Sequence, residues 1–118
     1  MDTVTLLIDP EAVAQIRVVE RAIGRADLFS GLVTKLEGNL SGFGAAWSEL
    51  IARGDTTGAT RSAHTLKGTC RQLGAAALGD LFAEIERSAK AGDYAEAKRR
   101  FDAAASLIAQ SLEALKHA

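Results

Sequence analysis

The feature that most constrains the fold is an amphipathic pattern between residues 29 and 50. Its large apolar side chains recur at alternating intervals of four and three residues, and they are Phe29, Val33, Leu36, Leu40, Phe43, Trp47 and Leu50. This spacing places them on one side of an α-helix, as in a helix packed within a bundle. Alanine-rich runs, a single proline and 5% aromatic residues also favour helices over strands.

Cap and stop signals predict a shorter helix before this one. The segment is IDPEAVAQI, in which Asp9 is the expected N-cap and Pro10 the first helical residue. The predicted end is Gly24. Its apolar side is expected to consist of Val13, Ile16 and Ile23. Residues 1–8 are predicted to be an extended lead-in.

Glycine followed by aspartate marks two later turns. ARGD at 52–55 and KAGD at 90–93 each place a glycine after one helix and an aspartate at the cap of the next. The third helix is predicted from about Thr56 to Leu73, with Gly74 as its end. The fourth carries its apolar side on Leu78, Leu81, Phe82, Ile85 and Ala89. A single fifth helix is expected to carry Tyr94, Phe101, Ile108 and Leu115.

These elements predict one all-α domain over residues 1–118. Because short turns join long amphipathic helices, neighbouring helices should be antiparallel. The expected architecture is an antiparallel up-down four-helix bundle with an additional short N-terminal helix. A chain of 118 residues suits a single core. Cys70 has no cysteine partner within the chain and is expected to pack in that core.

Charge and hydropathy exclude several function classes. The formal net charge is −1, so no basic field favours a nucleic acid or an anionic membrane as partner. The segment MDTVTLLIDP lacks the basic and long apolar regions of a signal peptide, and no apolar run reaches the length of a bilayer span. A lone cysteine also suits a reducing compartment. We therefore expect a cytoplasmic protein.

The stretch AHTLKGTC, residues 63–70, is the most unusual part of the third helix. At about 100° per residue, His64, Lys67 and Gly68 lie opposite the leucines that must face the bundle. Glycine within a helix costs about 1 kcal/mol relative to alanine. An exposed imidazole is a usable nucleophile, a lysine one turn away neutralises a developing anion, and a glycine gives another protein room to approach. A histidine that accepts a phosphoryl group from a partner needs these three features.

The longer stretch AHTLKGTCRQLGAAALGDLF, residues 63–82, resembles the signature of histidine-containing phosphotransfer (HPt) domains, the helical modules of multistep two-component phosphorelays. The matching elements are His-x-x-Lys-Gly, then Leu-Gly at 73–74 and two leucines on the next helix. The order of the helices also matches that family. The resemblance implies that His64 is the phosphoacceptor through Nε2 and that Lys67 steadies the phosphoryl charge. It also implies that Gly68 lets a receiver-domain aspartate reach the ring.

Position 86 departs from the family pattern, in which a glutamine twenty-two residues after the histidine often contacts the imidazole. This chain has Glu86 there. Because an ionised carboxylate only accepts hydrogen bonds, it would hold Nδ1–H, favour the protonated ring and repel a bound phosphoryl group. We expect a shorter-lived phosphohistidine than glutamine would give. The alternative is an exposed Glu86 that pairs with Lys90 on its own helix.

The resemblance implies a phosphorelay intermediate without autonomous kinase activity. His64 would take a phosphoryl group from the receiver domain of a hybrid histidine kinase and pass it to the receiver domain of a response regulator. No cofactor is expected, and magnesium would be held by the receiver, because no acidic cluster here has ligand spacing. The partner surface is expected on the third and fourth helices, with a cationic rim of Arg61, Lys67, Arg71 and Arg87. We expect a monomer.

Three other interpretations use the same exposed histidine. A histidine kinase dimerisation domain usually has an acidic residue directly after it, where this chain has Thr65. A metal- or cofactor-binding bundle needs converging ligands, whereas His64 and Cys70 point to different sides and His117 is in the tail. A helical interaction domain that binds signalling partners without phosphorylation stays open. The intact His-x-x-Lys-Gly pattern argues against it.

Overall fold

The computed structural model describes residues 7–118, and the regular elements in that range are all α-helices. They are α1 (Pro10–Ile23), α2 (Leu28–Ala52), α3 (Thr56–Leu73), α4 (Ala76–Lys90), α5 (Tyr94–Asp102) and α6 (Ala105–Lys116). The predicted all-helical class is therefore confirmed. Most of the expected lead-in lies outside the described residues, and its last two residues, Leu7 and Ile8, are buried.

Three aspartates cap helices as predicted. The side chains of Asp9, Asp55 and Asp93 accept hydrogen bonds at 2.9–3.0 Å from backbone N–H groups in the first turns of α1, α3 and α5. Each bond satisfies a donor that the helix itself leaves without a partner. Gly24 and Gly74 follow α1 and α3 with left-handed φ angles of 71° and 91°. The predicted ends of these two helices are confirmed.

The core forms where the apolar side of α2 meets the other helices. Six of the seven large side chains of the α2 pattern are buried, and Leu50 is half-buried. Phe43 of α2 lies in an edge-to-face contact with Phe82 of α4, with ring centroids 5.1 Å apart. Its centroid is 4.8 Å from that of Phe101 of α5. These contacts connect three helices through one aromatic group.

The helix α3 lies between α2 and α4 and contacts both. Its buried residues are Ala59, Ala63, Leu66, Cys70 and Leu73. Helices α5 and α6 each contact α2 and α4, while α1 packs against α2 and α3. The α3–α4 pair is therefore supported by core residues along its length, and the candidate site lies on this pair.

Two predictions about the outer helices are wrong. Ile23 is 54% exposed and does not belong to the packed side of α1. Glu20 is buried there instead, because its carboxylate accepts a 2.7 Å hydrogen bond from the Phe29 N–H and so caps α2. The single fifth helix is also interrupted, since residues 103–104 form a turn between α5 and α6. The turn buries Ala104 and lets the two short helices pack separately.

Candidate functional site

The two sides of α3 differ in exposure, as the sequence predicts. Ala63 and Leu66 are buried, whereas the side chain of His64 is 64% exposed. Gly68 is also at the surface, and a Cβ atom there would meet nothing within 4 Å beyond the adjacent residues and backbone of its own helix. Lys67 differs from the expected open position, because its side chain is only 20% exposed. The side chain of Lys67 is covered because it forms a hydrogen bond with a residue of α4.

That partner is Glu86, whose carboxylate lies between α3 and α4. Its Oε2 atom is 2.7 Å from Nδ1 of His64. Its Oε1 atom accepts a 2.6 Å hydrogen bond from Nζ of Lys67. The Nζ atom of Lys90 is 3.4 Å from Oε2. We call His64, Lys67, Glu86 and Lys90 the His64 cluster.

The geometry resolves the two alternatives for Glu86. The residue is only 5% exposed, so the expectation of an exposed glutamate is wrong. It contacts the imidazole of His64 and also lies within ion-pair distance of Lys90. Both proposed contacts are therefore present around one buried carboxylate. Burial of an ionised group requires such partners, because an unpaired charge away from water is strongly unfavourable.

The pKa of Glu86 is lowered to about 2, chiefly by the hydrogen bond from Lys67. The hydrogen bond with His64 and the charges of Lys67 and Lys90 act in the same direction, while burial opposes them. Glu86 is therefore ionised at neutral pH and can only accept hydrogen bonds. Its contact with the ring assigns the imidazole proton to Nδ1. In a neutral ring this leaves the lone pair on Nε2, as a nucleophile requires.

His64 forms part of the wall of a cleft between α3 and the end of α4. The cleft has a volume of about 410 Å³ and is lined by Thr56, Thr57, Thr60, Arg61, His64, Glu86, Ala89, Lys90 and Tyr94. Three threonines and two cationic side chains give this lining hydrogen-bonding capacity and positive charge. Tyr94 was expected only on the apolar side of its helix. The contribution of Lys90 was signalled by its spacing of four residues from Glu86.

The three predicted surface arginines have different surroundings. Arg61 lines the cleft, and within residues 7–118 no acidic side chain pairs with it. Arg71 lies 3.8 Å from Asp80, and Arg87 lies 2.6 Å from Glu84. The rim is therefore mixed in charge away from Arg61. The role of all three in partner binding stays a prediction.

Across residues 7–118, no group of three or more His, Cys, Asp or Glu side chains is placed to hold a metal ion. Over the same residues, no helix combines the length and apolar character needed to cross a membrane.

Fold and site together define an all-helical protein with an exposed histidine held by a buried carboxylate. The family model of the Hpt domain matches residues 11–118, which is essentially the whole chain. The chain belongs to the Hpt domain family, whose members are phosphotransfer modules of two-component signalling and interact with receiver domains. Comparisons with curated proteins and with solved structures gave no significant match.

Proposed function

We propose that this protein is a phosphorelay intermediate in which His64 accepts a phosphoryl group from one receiver domain and passes it to another. The donor would be the aspartyl phosphate of a hybrid histidine kinase, and the acceptor would be the receiver aspartate of a response regulator. The observation that carries this proposal is the exposed ring of His64, with Nδ1 held 2.7 Å from a buried carboxylate. That contact leaves Nε2 as the nucleophile.

The transfer step follows from this orientation. The Nε2 lone pair attacks phosphorus, an N–P bond forms, and the P–O bond to the receiver aspartate breaks. The aspartate leaves with the electron pair of that bond as a carboxylate. The Nδ1 proton stays between the ring and Glu86 throughout. The reverse step, with a second receiver, returns His64 to its starting state.

Positioning and charge neutralisation supply most of the catalysis in phosphoryl transfer. Lys67 would steady the negative charge of the transferred group, and magnesium would be held by the receiver domain. Gly68 leaves open space one turn from His64, which gives the receiver access to the ring. We expect no cofactor on this chain and no autonomous kinase activity.

The receiver is proposed to dock on the exposed side of α3 and the adjoining side of α4, with Arg61, Arg71 and Arg87 on its rim. We expect the interface with each receiver to bury an area at the low end of the range for specific complexes, because a phosphorelay intermediate must release both partners. We further propose that the helices form an antiparallel up-down four-helix bundle, with α5 and α6 together as the fourth member and α1 as the additional helix. We also propose that the protein is a cytoplasmic monomer.

The test is transfer from phosphorylated receiver domains carrying radioactive phosphate. Wild-type protein should take up label that is stable to base and labile to acid, as expected of a phosphoramidate. His64→Gln should take up none, and His117→Asn, which changes the second histidine, should behave as wild type. Equal labelling of His64→Gln would overturn the proposal, as would the absence of transfer from every cognate receiver. Receiver binding without transfer would support the interaction-domain alternative.

A further inference from the structure

We propose that Lys90 is a positioning residue for phosphotransfer. It holds the Glu86 carboxylate so that Lys67 can leave Glu86 and move to the phosphoryl group on His64. This inference rests on the proposed function of His64, and it assigns different tasks to the two lysines of the His64 cluster. Lys67 would be the mobile cation, and Lys90 would be the cation that remains with Glu86.

The first observation is that Lys67 is already engaged before any phosphoryl group arrives. Its ammonium lies 2.6 Å from Oε1 of Glu86, and its side chain is mostly covered. A charge-assisted hydrogen bond this short is among the stronger polar contacts in proteins. Lys67 therefore cannot serve a phosphoryl group on Nε2 without giving up, or sharing, its bond to Glu86.

The second observation is that Glu86 is buried and cannot be left with the imidazole alone. Removing one partner of a buried ion pair is strongly destabilising, since the remaining charge keeps its desolvation penalty. A phosphoryl group on His64 would add negative charge beside this carboxylate. Movement of Lys67 therefore requires another cation close to Glu86.

Lys90 meets that requirement. Its Nζ atom is 3.4 Å from Oε2, the same oxygen that contacts His64, and its side chain is 65% exposed. This distance is longer than the 2.7–2.9 Å typical of a charge-assisted hydrogen bond, so a small movement can tighten the contact. An exposed lysine on a flexible stem makes that movement without repacking the core.

The other groups around the cleft do not replace Lys90. Arg61 of α3 and Tyr94 of α5 line the same cleft, but neither forms an ion pair or hydrogen bond with Glu86. Among the described residues, Glu86 is the only carboxylate in the lining. The charged groups beside His64 are therefore the Glu86 carboxylate and the ammonium groups of Lys67 and Lys90 that pair with it. The guanidinium group of Arg61 lies farther along α3.

The experiment measures the hydrolysis rate of phosphohistidine at position 64 in a His117→Asn background, so that His64 is the only histidine. Phosphoramidate, which phosphorylates imidazoles directly, provides the phosphorylated protein without a receiver. Lys90→Met should speed hydrolysis about threefold or more, because Lys67 is then retained by Glu86. Lys90→Arg should restore the rate to within about twofold of wild type, because it keeps the charge.

The decisive arm is the same substitution in a Glu86→Gln background. A neutral glutamine needs no second cation, so Lys90→Met should there change the rate by less than about 1.5-fold. Glu86→Gln by itself should lengthen the phosphohistidine lifetime, because it removes a negative charge beside the phosphoryl group. High salt should reduce the effect of Lys90→Met, since an exposed charge is screened.

Lys98→Met is the matched control, because Lys98 is also a lysine in an i,i+4 ion pair, but it lies on α5 and pairs with Asp102 rather than Glu86. It should leave the hydrolysis rate unchanged. The inference is wrong if Lys98→Met acts like Lys90→Met, or if Lys90→Met has the same effect with Glu86 present and in the Glu86→Gln background. Because phosphoramidate bypasses the receiver, failure of receiver transfer alone would overturn only the proposed function.

Discussion

Glu86 is buried in the interface between two helices and also contacts the candidate phosphoacceptor directly. Its carboxylate is buried between α3 and α4, and each oxygen has at least one partner from the His64 cluster. The sequence showed a carboxylate where the family often has a glutamine, and it left the contact with His64 open. A helical wheel gives the direction of each side chain from its own helix, but not the distance between two helices. The close packing of α3 on α4 set that distance.

The ionisation of Glu86 should make folding stability depend on pH. Its pKa is lowered from 4.5 to about 2 in the folded protein, so its contribution is complete well above pH 4.5 and disappears as the pH falls through 2. Between about pH 7 and pH 3, wild type should lose roughly 2 kcal/mol more unfolding free energy than Glu86→Gln.

Denaturant unfolding of both proteins at the two pH values measures this difference. The other acidic groups, including Glu20, are common to both proteins and cancel in the comparison. An equal loss of stability in wild type and Glu86→Gln would contradict the ion pairing described for this carboxylate.

At the scale of the elements, the turn between α3 and α4 fixes the position of α1. The carbonyl of Gly74 accepts a 2.8 Å hydrogen bond from the N–H of Asp9. A Cβ atom at Gly74 would lie 2.8 Å from Cγ2 of Val13 and 3.0 Å from the Asp9 carbonyl oxygen. The sequence predicted Gly74 as a helix end from its residue type. The close approach of α1 depends on tertiary packing.

Gly74→Ala should lower the unfolding free energy by about 1–3 kcal/mol, because a left-handed φ angle and a close contact both disfavour a side chain there. Gly38→Ala is the matched control. Gly38 lies within α2, and a Cβ atom there would meet nothing within 4 Å beyond the adjacent residues and backbone of its own helix. This second change should raise stability by about 0.5–1 kcal/mol. Denaturant unfolding of the two variants tests the contrast, and equal effects would contradict it.

At the scale of the whole molecule, His64 and Glu86 are each adjacent in sequence to a residue of the hydrophobic core. Ala63 precedes His64 and is fully buried, and Ile85 precedes Glu86 and is also fully buried. The aromatic contacts of Phe43 with Phe82 and Phe101 connect the helices behind this pair. A close-packed interior resists small shifts of its side chains. The separation of His64 and Glu86 is therefore set by the packing of the whole molecule.

The reactivity of the Cys70 thiol can be used to test whether this core is packed. Its side chain has no exposed surface, and burial raises the pKa of the thiol to about 12. Because the thiolate is the reactive form, the native protein should not react with a chromogenic thiol reagent near neutral pH on the timescale of minutes. Addition of denaturant should give complete labelling. Rapid labelling of the native protein would show that α3 does not pack as described.

The helical class, the capped ends of α1, α3 and α5, and the exposure of His64 could be predicted from the sequence, because caps and apolar spacing are local properties of the chain. It did not determine the break between α5 and α6, which no glycine or proline marks. Only the tertiary structure placed His64 and Lys67 on Glu86. Those contacts join two different helices, and their distances depend on how the core residues between the helices pack.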